Sequence, residues 1–66
     1  MEFKILYGKK IQIYTVDREY YFGIVDECFD AEDNESGEES FLLRCKDGSL
    51  VEFSEEDIVE IREILT

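Results

Sequence analysis

Between residues 30 and 40 the chain reads Asp-Ala-Glu-Asp-Asn-Glu-Ser-Gly-Glu-Glu-Ser, which supplies six carboxylates of the oxygen-donor type that a hard divalent cation takes. A calcium loop, however, fixes its ligands by position. A frame starting at Asp30 puts Glu32 and Asn34 at the third and fifth ligand positions. It also sets Glu35 where the sharp turn needs glycine and Phe41 where a bidentate Glu must close the site. The segment therefore reads as a solvated loop, and no metal site is expected. Covalent chemistry has as little to draw on. The chain has no His, and its two cysteines, Cys28 and Cys45, have no imidazole to activate them and match no metal-ligand spacing. They read as small apolar residues. Carboxylates are plentiful, but a catalytic pair needs a cleft that drives its two pKa values apart, and a small filled domain rarely holds one. Neither enzyme activity nor a cofactor is expected.

A second constellation lies nearer the N-terminus. Phe3, Tyr7, Tyr14, Tyr20 and Tyr21 are interleaved with Lys4, Lys9 and Lys10, the residue types with which a protein stacks bases and tracks a phosphate backbone. Charge weighs against that use. Residues 1–25 carry four basic and three acidic groups and residues 26–66 three basic and fifteen acidic, so the halves stand at +1 and −12. A polyanion attracted by Lys4, Lys9, Lys10 and Arg18 would meet the repulsive field of the other half. Packing in the core and at its rim accounts for most of these aromatics.

The scaffold that must position such groups is small. Sixty-six residues with a net charge of −11 allow one domain over 1–66, and 44% hydrophobic residues allow it a core. Such a core stabilises a fold by roughly 3 to 5 kcal/mol, so marginal stability or oligomerisation is expected. Apolar runs are short and residues 1–4 begin no signal sequence, which predicts a soluble, cytoplasmic protein with no membrane span.

Alternation of apolar and polar residues predicts a strand over 10–16 and a second β-rich run over 20–29, whose faces are Tyr21, Gly23, Val25, Phe29 and Phe22, Ile24, Cys28. Gly23 is the expected bend. After the acidic loop, residues 41–45 and 50–53 form a hairpin around Lys46-Asp47-Gly48. A two-residue Asp-Gly turn would mix the faces. A three-residue turn with Gly48 in the left-handed region sets Phe41 opposite Phe53 and Leu43 opposite Val51, building one apolar face. The tail admits two readings. Ser54 and three following acids suit a capped turn, after which Ile58, Val59 and Ile61 suit a short strand, the preferred reading; one amphipathic C-terminal helix is the other.

Taken together, Gly8-Lys-Lys-Ile-Gln-Ile, Tyr21-Phe-Gly-Ile-Val, Phe41-Leu-Leu, Lys46-Asp-Gly and Val51-Glu-Phe-Ser-Glu-Glu-Asp-Ile-Val-Glu-Ile resemble the small SH3-like and Sm-like barrels over about residues 8–64. The resemblance implies an all-β fold: five strongly bent antiparallel strands in a small barrel, with a 3₁₀ turn before the last. Its Sm-like branch implies an RNA-binding ring subunit. Asp30 and Asn34 have the mutual spacing of that branch's first motif, one residue late relative to Gly23, and Asp47-Gly48 stands where the second motif has Arg-Gly.

Surplus hydrophobicity points elsewhere. With Phe41, Leu43, Val51 and Phe53 inside, Leu42 and Leu50 point outward, as do Phe22 and Ile24 opposite Tyr21 and Val25. Either the chain's own ends or a partner must cover them. The leading expectation is a non-catalytic protein-interaction module that docks a protein through Phe22, Ile24, Leu42 and Leu50, its carboxylates steering a basic partner. The alternatives are an oligomeric Sm-like RNA binder using Lys9, Lys10, Asp30 and Asn34, and an acidic mimic of nucleic acid that blocks a basic protein groove.

Overall fold

Alternation decides the first strand, β1 (Lys10–Thr15), in which Ile11, Ile13 and Thr15 are buried and the residues between them are not. The computed structural model describes residues 2–65. It continues with β2 (Tyr20–Phe29), β3 (Ser40–Cys45), β4 (Leu50–Ser54) and β5 (Ile58–Glu63). All five strands are antiparallel neighbours in one sheet of order β4-β3-β2-β1-β5. The rest of the regular structure is three short 3₁₀ turns at Phe3–Leu6, Ala31–Asp33 and Glu55–Asp57. Among the described residues no helix is long and apolar enough to cross a membrane.

The β3–β4 hairpin has the three-residue loop and the register expected of it. Gly48 sits at φ 89° and Cys45 exchanges backbone hydrogen bonds with Gly48 and Ser49. Phe41 is opposite Phe53 and Leu43 opposite Val51. The β1–β2 hairpin repeats that loop. The Arg18 N–H donates to the Thr15 carbonyl and the Thr15 N–H to the Glu19 carbonyl, and Arg18 takes the left-handed position at φ 65°. An arginine stands there in place of the usual glycine.

The tail is a turn and a strand. The Asp57 carboxylate accepts from both the N–H and the hydroxyl of Ser54, at 2.9 and 3.0 Å, and fixes the turn. The Asp57 carbonyl then accepts from the Val16 N–H at 2.9 Å, which delivers the chain to β1 instead of back along β4. Its β-branched residues Ile58, Val59 and Ile61 continue as a strand paired with β1.

This connection shapes the whole sheet. Strands β4 and β5 are its two edges, yet only the residues between Ser54 and Ile58 join them. Four chain steps reach about 14 Å, whereas the edges of a flat five-stranded sheet lie about 19 Å apart. The sheet must therefore curl. It does so around Phe3, Ile11, Ile13, Val25, Phe41, Leu43 and Phe53, with Val51 from one edge and Ile58 and Ile61 from the other packed against them. No ladder joins β4 to β5, so the sheet remains open where the sequence reading expected a barrel.

Two details of β2 shape its faces. The ladder with β3 shifts register at Asp26, between Val25 opposite Leu43 and Glu27 opposite Leu42. An extra residue reverses the side-chain parity beyond it. Cys28 therefore falls opposite Phe41 on the core side rather than on the face of Phe22 and Ile24, and Phe29 moves off the core face. Gly23, where the bend was expected, is a place of close approach. A Cβ there would fall on the Arg44 carbonyl oxygen and 2.9 Å from Leu43 Cγ.

Candidate interaction face

With Ile11, Ile13, Val25 and Leu43 turned inward, the intervening residues form the outer face of the sheet. The registers align them in rows across the strands. Leu50 on β4 is opposite Arg44 on β3, Arg44 is opposite Ile24 on β2, and Ile24 is opposite Lys10 on β1. Ile64 extends that row, its N–H donating to the Lys10 carbonyl at 2.8 Å. In the next row Phe22 is opposite Gln12, which is opposite Arg62. Lys46 follows β3 and lies on the same side.

These rows enclose an open groove of about 520 Å³ lined mainly by apolar atoms, with Phe22, Gly23, Ile24, Cys45 and Ile64 along it and the cations Lys10, Arg44 and Lys46 around it. Phe22 and Leu50 keep 56% and 53% of their surface in solvent, more than a side chain of either type keeps when the chain covers it. Three of the seven basic residues thus line one groove in a chain of net charge −11. Arg44 Nε is 3.2 Å from an Asp26 carboxylate oxygen. Among the described residues, neither Lys10 nor Lys46 makes an ion pair.

The sequence-derived docking residues divide. Phe22 and Ile24 line the groove and Leu50 continues their face across Arg44. Leu42, half-buried, lies farther along β3 between Glu27 and Glu52, outside the groove.

The residues considered for nucleic acid are not gathered. Lys10 lines the groove, but Lys9 Nζ is 3.3 Å from a Glu63 carboxylate oxygen. Asp30 lines a separate hollow of about 320 Å³ with Glu2, Lys4, Ala31, Glu32 and Glu39. Asn34 spends its amide inside the acidic loop, donating to the Glu38 carbonyl at 2.6 Å and the Ser40 hydroxyl at 3.0 Å. The hollow is rich in carboxylates, yet among the described residues no group of acidic or Cys side chains has the arrangement of a metal site. Of the aromatics, Tyr7 and Tyr20 stay exposed. Phe3 is buried, Tyr21 packs edge-on to Phe53 at 5.0 Å, and Tyr14 lies 4.7 Å from Tyr20 across the strands.

The thiol of Cys28 reaches the Phe3 carbonyl at 3.4 Å. Burial, and then the nearby charges of Glu39, Asp30 and Glu27, push its pKa up, which keeps it in the unreactive protonated form at neutral pH. Asp47 moves the other way. Its carboxylate accepts from the Ser49 hydroxyl and backbone N–H at 2.7 and 3.0 Å, which lowers its pKa and ties down the β3–β4 loop.

Sequence reasoning missed Arg44, Lys46 and Ile64. Alternation from Leu42 already placed Arg44 on the outer face, and the three-residue turn placed Lys46 beside it. Ile64 had no such signal, since its position depends on whether the tail pairs with β1. Comparison with family models, with curated proteins and with solved structures finds no match for this chain.

Proposed function

We propose that this chain is a non-catalytic protein-interaction module that docks a partner on the outer face of its sheet. The exposure of Phe22 and Leu50 beside a groove with an apolar lining carries this reading, because a large apolar face left in solvent is stabilised when another chain covers it. Absence of catalysis fits the surroundings of Cys28, whose thiol is held protonated by burial and by the charges of nearby carboxylates. The RNA-binding reading is weaker, since Lys9 is paired with Glu63 and the Asn34 amide is consumed by its own loop. Mimicry of nucleic acid has the charge of −11 in its favour and predicts competition by DNA for a basic partner.

Short random peptides displayed as a library and selected on the immobilised protein test the docking reading. Binders should be recovered that fail to bind the Phe22→Asp/Leu50→Asp variant, while that variant keeps its far-UV spectrum. Recovery of binders indifferent to the double substitution would remove the outer face from consideration.

A further inference from the structure

The groove gathers three of the seven basic residues of an acidic protein around an apolar floor. Lys10 comes from the start of β1, Arg44 from β3 and Lys46 from the loop that follows. Two of these three have no counter-ion among the described residues, although the chain has 18 acidic residues from which to supply one. The acidic side chains on neighbouring positions are already engaged, Asp26 with Arg44 of the groove itself, and Glu60 with Arg62 and Glu63 with Lys9 outside it. Among the described residues, Lys10 and Lys46 therefore stand as unpaired positive charge at the groove of a chain whose net charge is −11.

From this arrangement we infer that the groove takes a peptide segment in which an apolar side chain is flanked by carboxylates, carried on a partner whose wider surface is basic. This rests on the docking reading above and gives it a chemistry. The apolar side chain packs over Ile24 and Ile64 beside Phe22, and the flanking carboxylates meet Lys10 and Lys46. The basic surround of the partner faces the field of a −11 chain and sets the rate of encounter. A nucleic acid suits the site less well. Its phosphates would satisfy the three cations, but the same charge continues along the strand into the surrounding carboxylates, whereas a peptide confines its negative charge to the groove. Beyond the groove the outer face of the sheet continues past Arg44 to the exposed Leu50, a length suited to an extended segment rather than a compact small molecule.

The same peptide selection, with one further variant, tests this inference. Recovered peptides should carry Asp or Glu beside Leu, Ile or Phe. Measured by fluorescence anisotropy, their affinity should fall about tenfold on Lys10→Glu/Lys46→Glu, as expected for reversal of two partly exposed charge pairs. Both lysines are exposed, so the variant should keep its urea midpoint and far-UV spectrum. Recovery of lysine- or arginine-rich peptides that lose binding to Phe22→Asp/Leu50→Asp and not to the lysine variant would overturn the charge assignment and leave docking intact. Peptides indifferent to both variants would overturn both. Displacement of the recovered peptides by an oligouridylate would also overturn the inference, in favour of a nucleic-acid site.

Discussion

Phe3 meets Phe41 edge-on, with ring centroids 4.8 Å apart and planes at 70°, so a residue that precedes every strand completes the core of the sheet. The 3₁₀ turn at Phe3–Leu6 delivers it. Its backbone is held on both sides, the N–H of Phe3 donating to a Glu39 carboxylate oxygen at 3.3 Å and its carbonyl accepting from the Cys28 thiol.

Removing that ring should leave a cavity against Phe41. Phe3→Ala is expected to cost about 3 to 5 kcal/mol, comparable to the whole stability of a domain this small. The variant should be largely unfolded at 25 °C by circular dichroism, and Phe3→Leu should fold with a lowered urea midpoint. A folded, wild-type-like Phe3→Ala would show that the turn is dispensable.

Gly23 gives a sharper test of packing. The atom that a Cβ would meet is the Arg44 backbone carbonyl oxygen of β3, which has no rotamer to yield. Gly23→Ala should destabilise by about 2 kcal/mol or more, even though alanine has the better strand propensity. Equal urea midpoints for the two proteins would contradict the close approach of β2 and β3.

At Arg18 the expected change is a gain. Its left-handed backbone costs a non-glycine residue about 1 to 2 kcal/mol, of which the greater chain entropy of glycine in the unfolded state offsets about half. Arg18→Gly should therefore raise stability by about 0.5 to 1 kcal/mol, seen as a higher thermal midpoint. Gly48→Ala, in the equivalent position of the other hairpin, should lower it.

The pH dependence above neutrality follows from Cys28. Burial and the neighbouring carboxylates raise its pKa in the folded protein, so the folded state holds this proton at pH values where the unfolded state has released it. The contribution is constant below the unfolded value of about 8.5 and stability is lost as pH rises from there through the folded pKa. Urea midpoints between pH 7 and 10 should fall, and Cys28→Ala should flatten the decline. A decline of equal slope in that variant would assign it to other groups.

Much of this architecture was legible because particular residues left few choices. The match of Phe41 with Phe53 and Leu43 with Val51 selects the β3–β4 loop, since the other turn would have buried Arg44 or Glu52. The run after Ser54 was less decided, because Ile58 and Ile61 fit either period and only pairing with β1 settles it. The bulge at Asp26 had no local signal. It is a consequence of how β2 must follow β3 around the core, and it moved Cys28 to the inner face. For the outer face, alternation identified Phe22, Ile24 and Leu50 correctly as outward. Their union with Lys10, Arg44 and Lys46 depended on which strands became neighbours, information that no single segment carries.

The short connection from β4 to β5 also orders events in time. The β1–β2, β2–β3 and β3–β4 pairings join segments adjacent in sequence, whereas β5 must find β1 across most of the chain, with Ile13 opposite Ile61. Pairings that close the longest loop cost the most chain entropy and form late. Strand β5 then acts as the latch of the fold. Ile61→Val should speed unfolding and leave the refolding rate nearly unchanged in stopped-flow measurements, the signature of contacts made after the transition state. That outcome would set the lifetime of the folded molecule at β5, whose end lies beside Lys10 at one side of the groove.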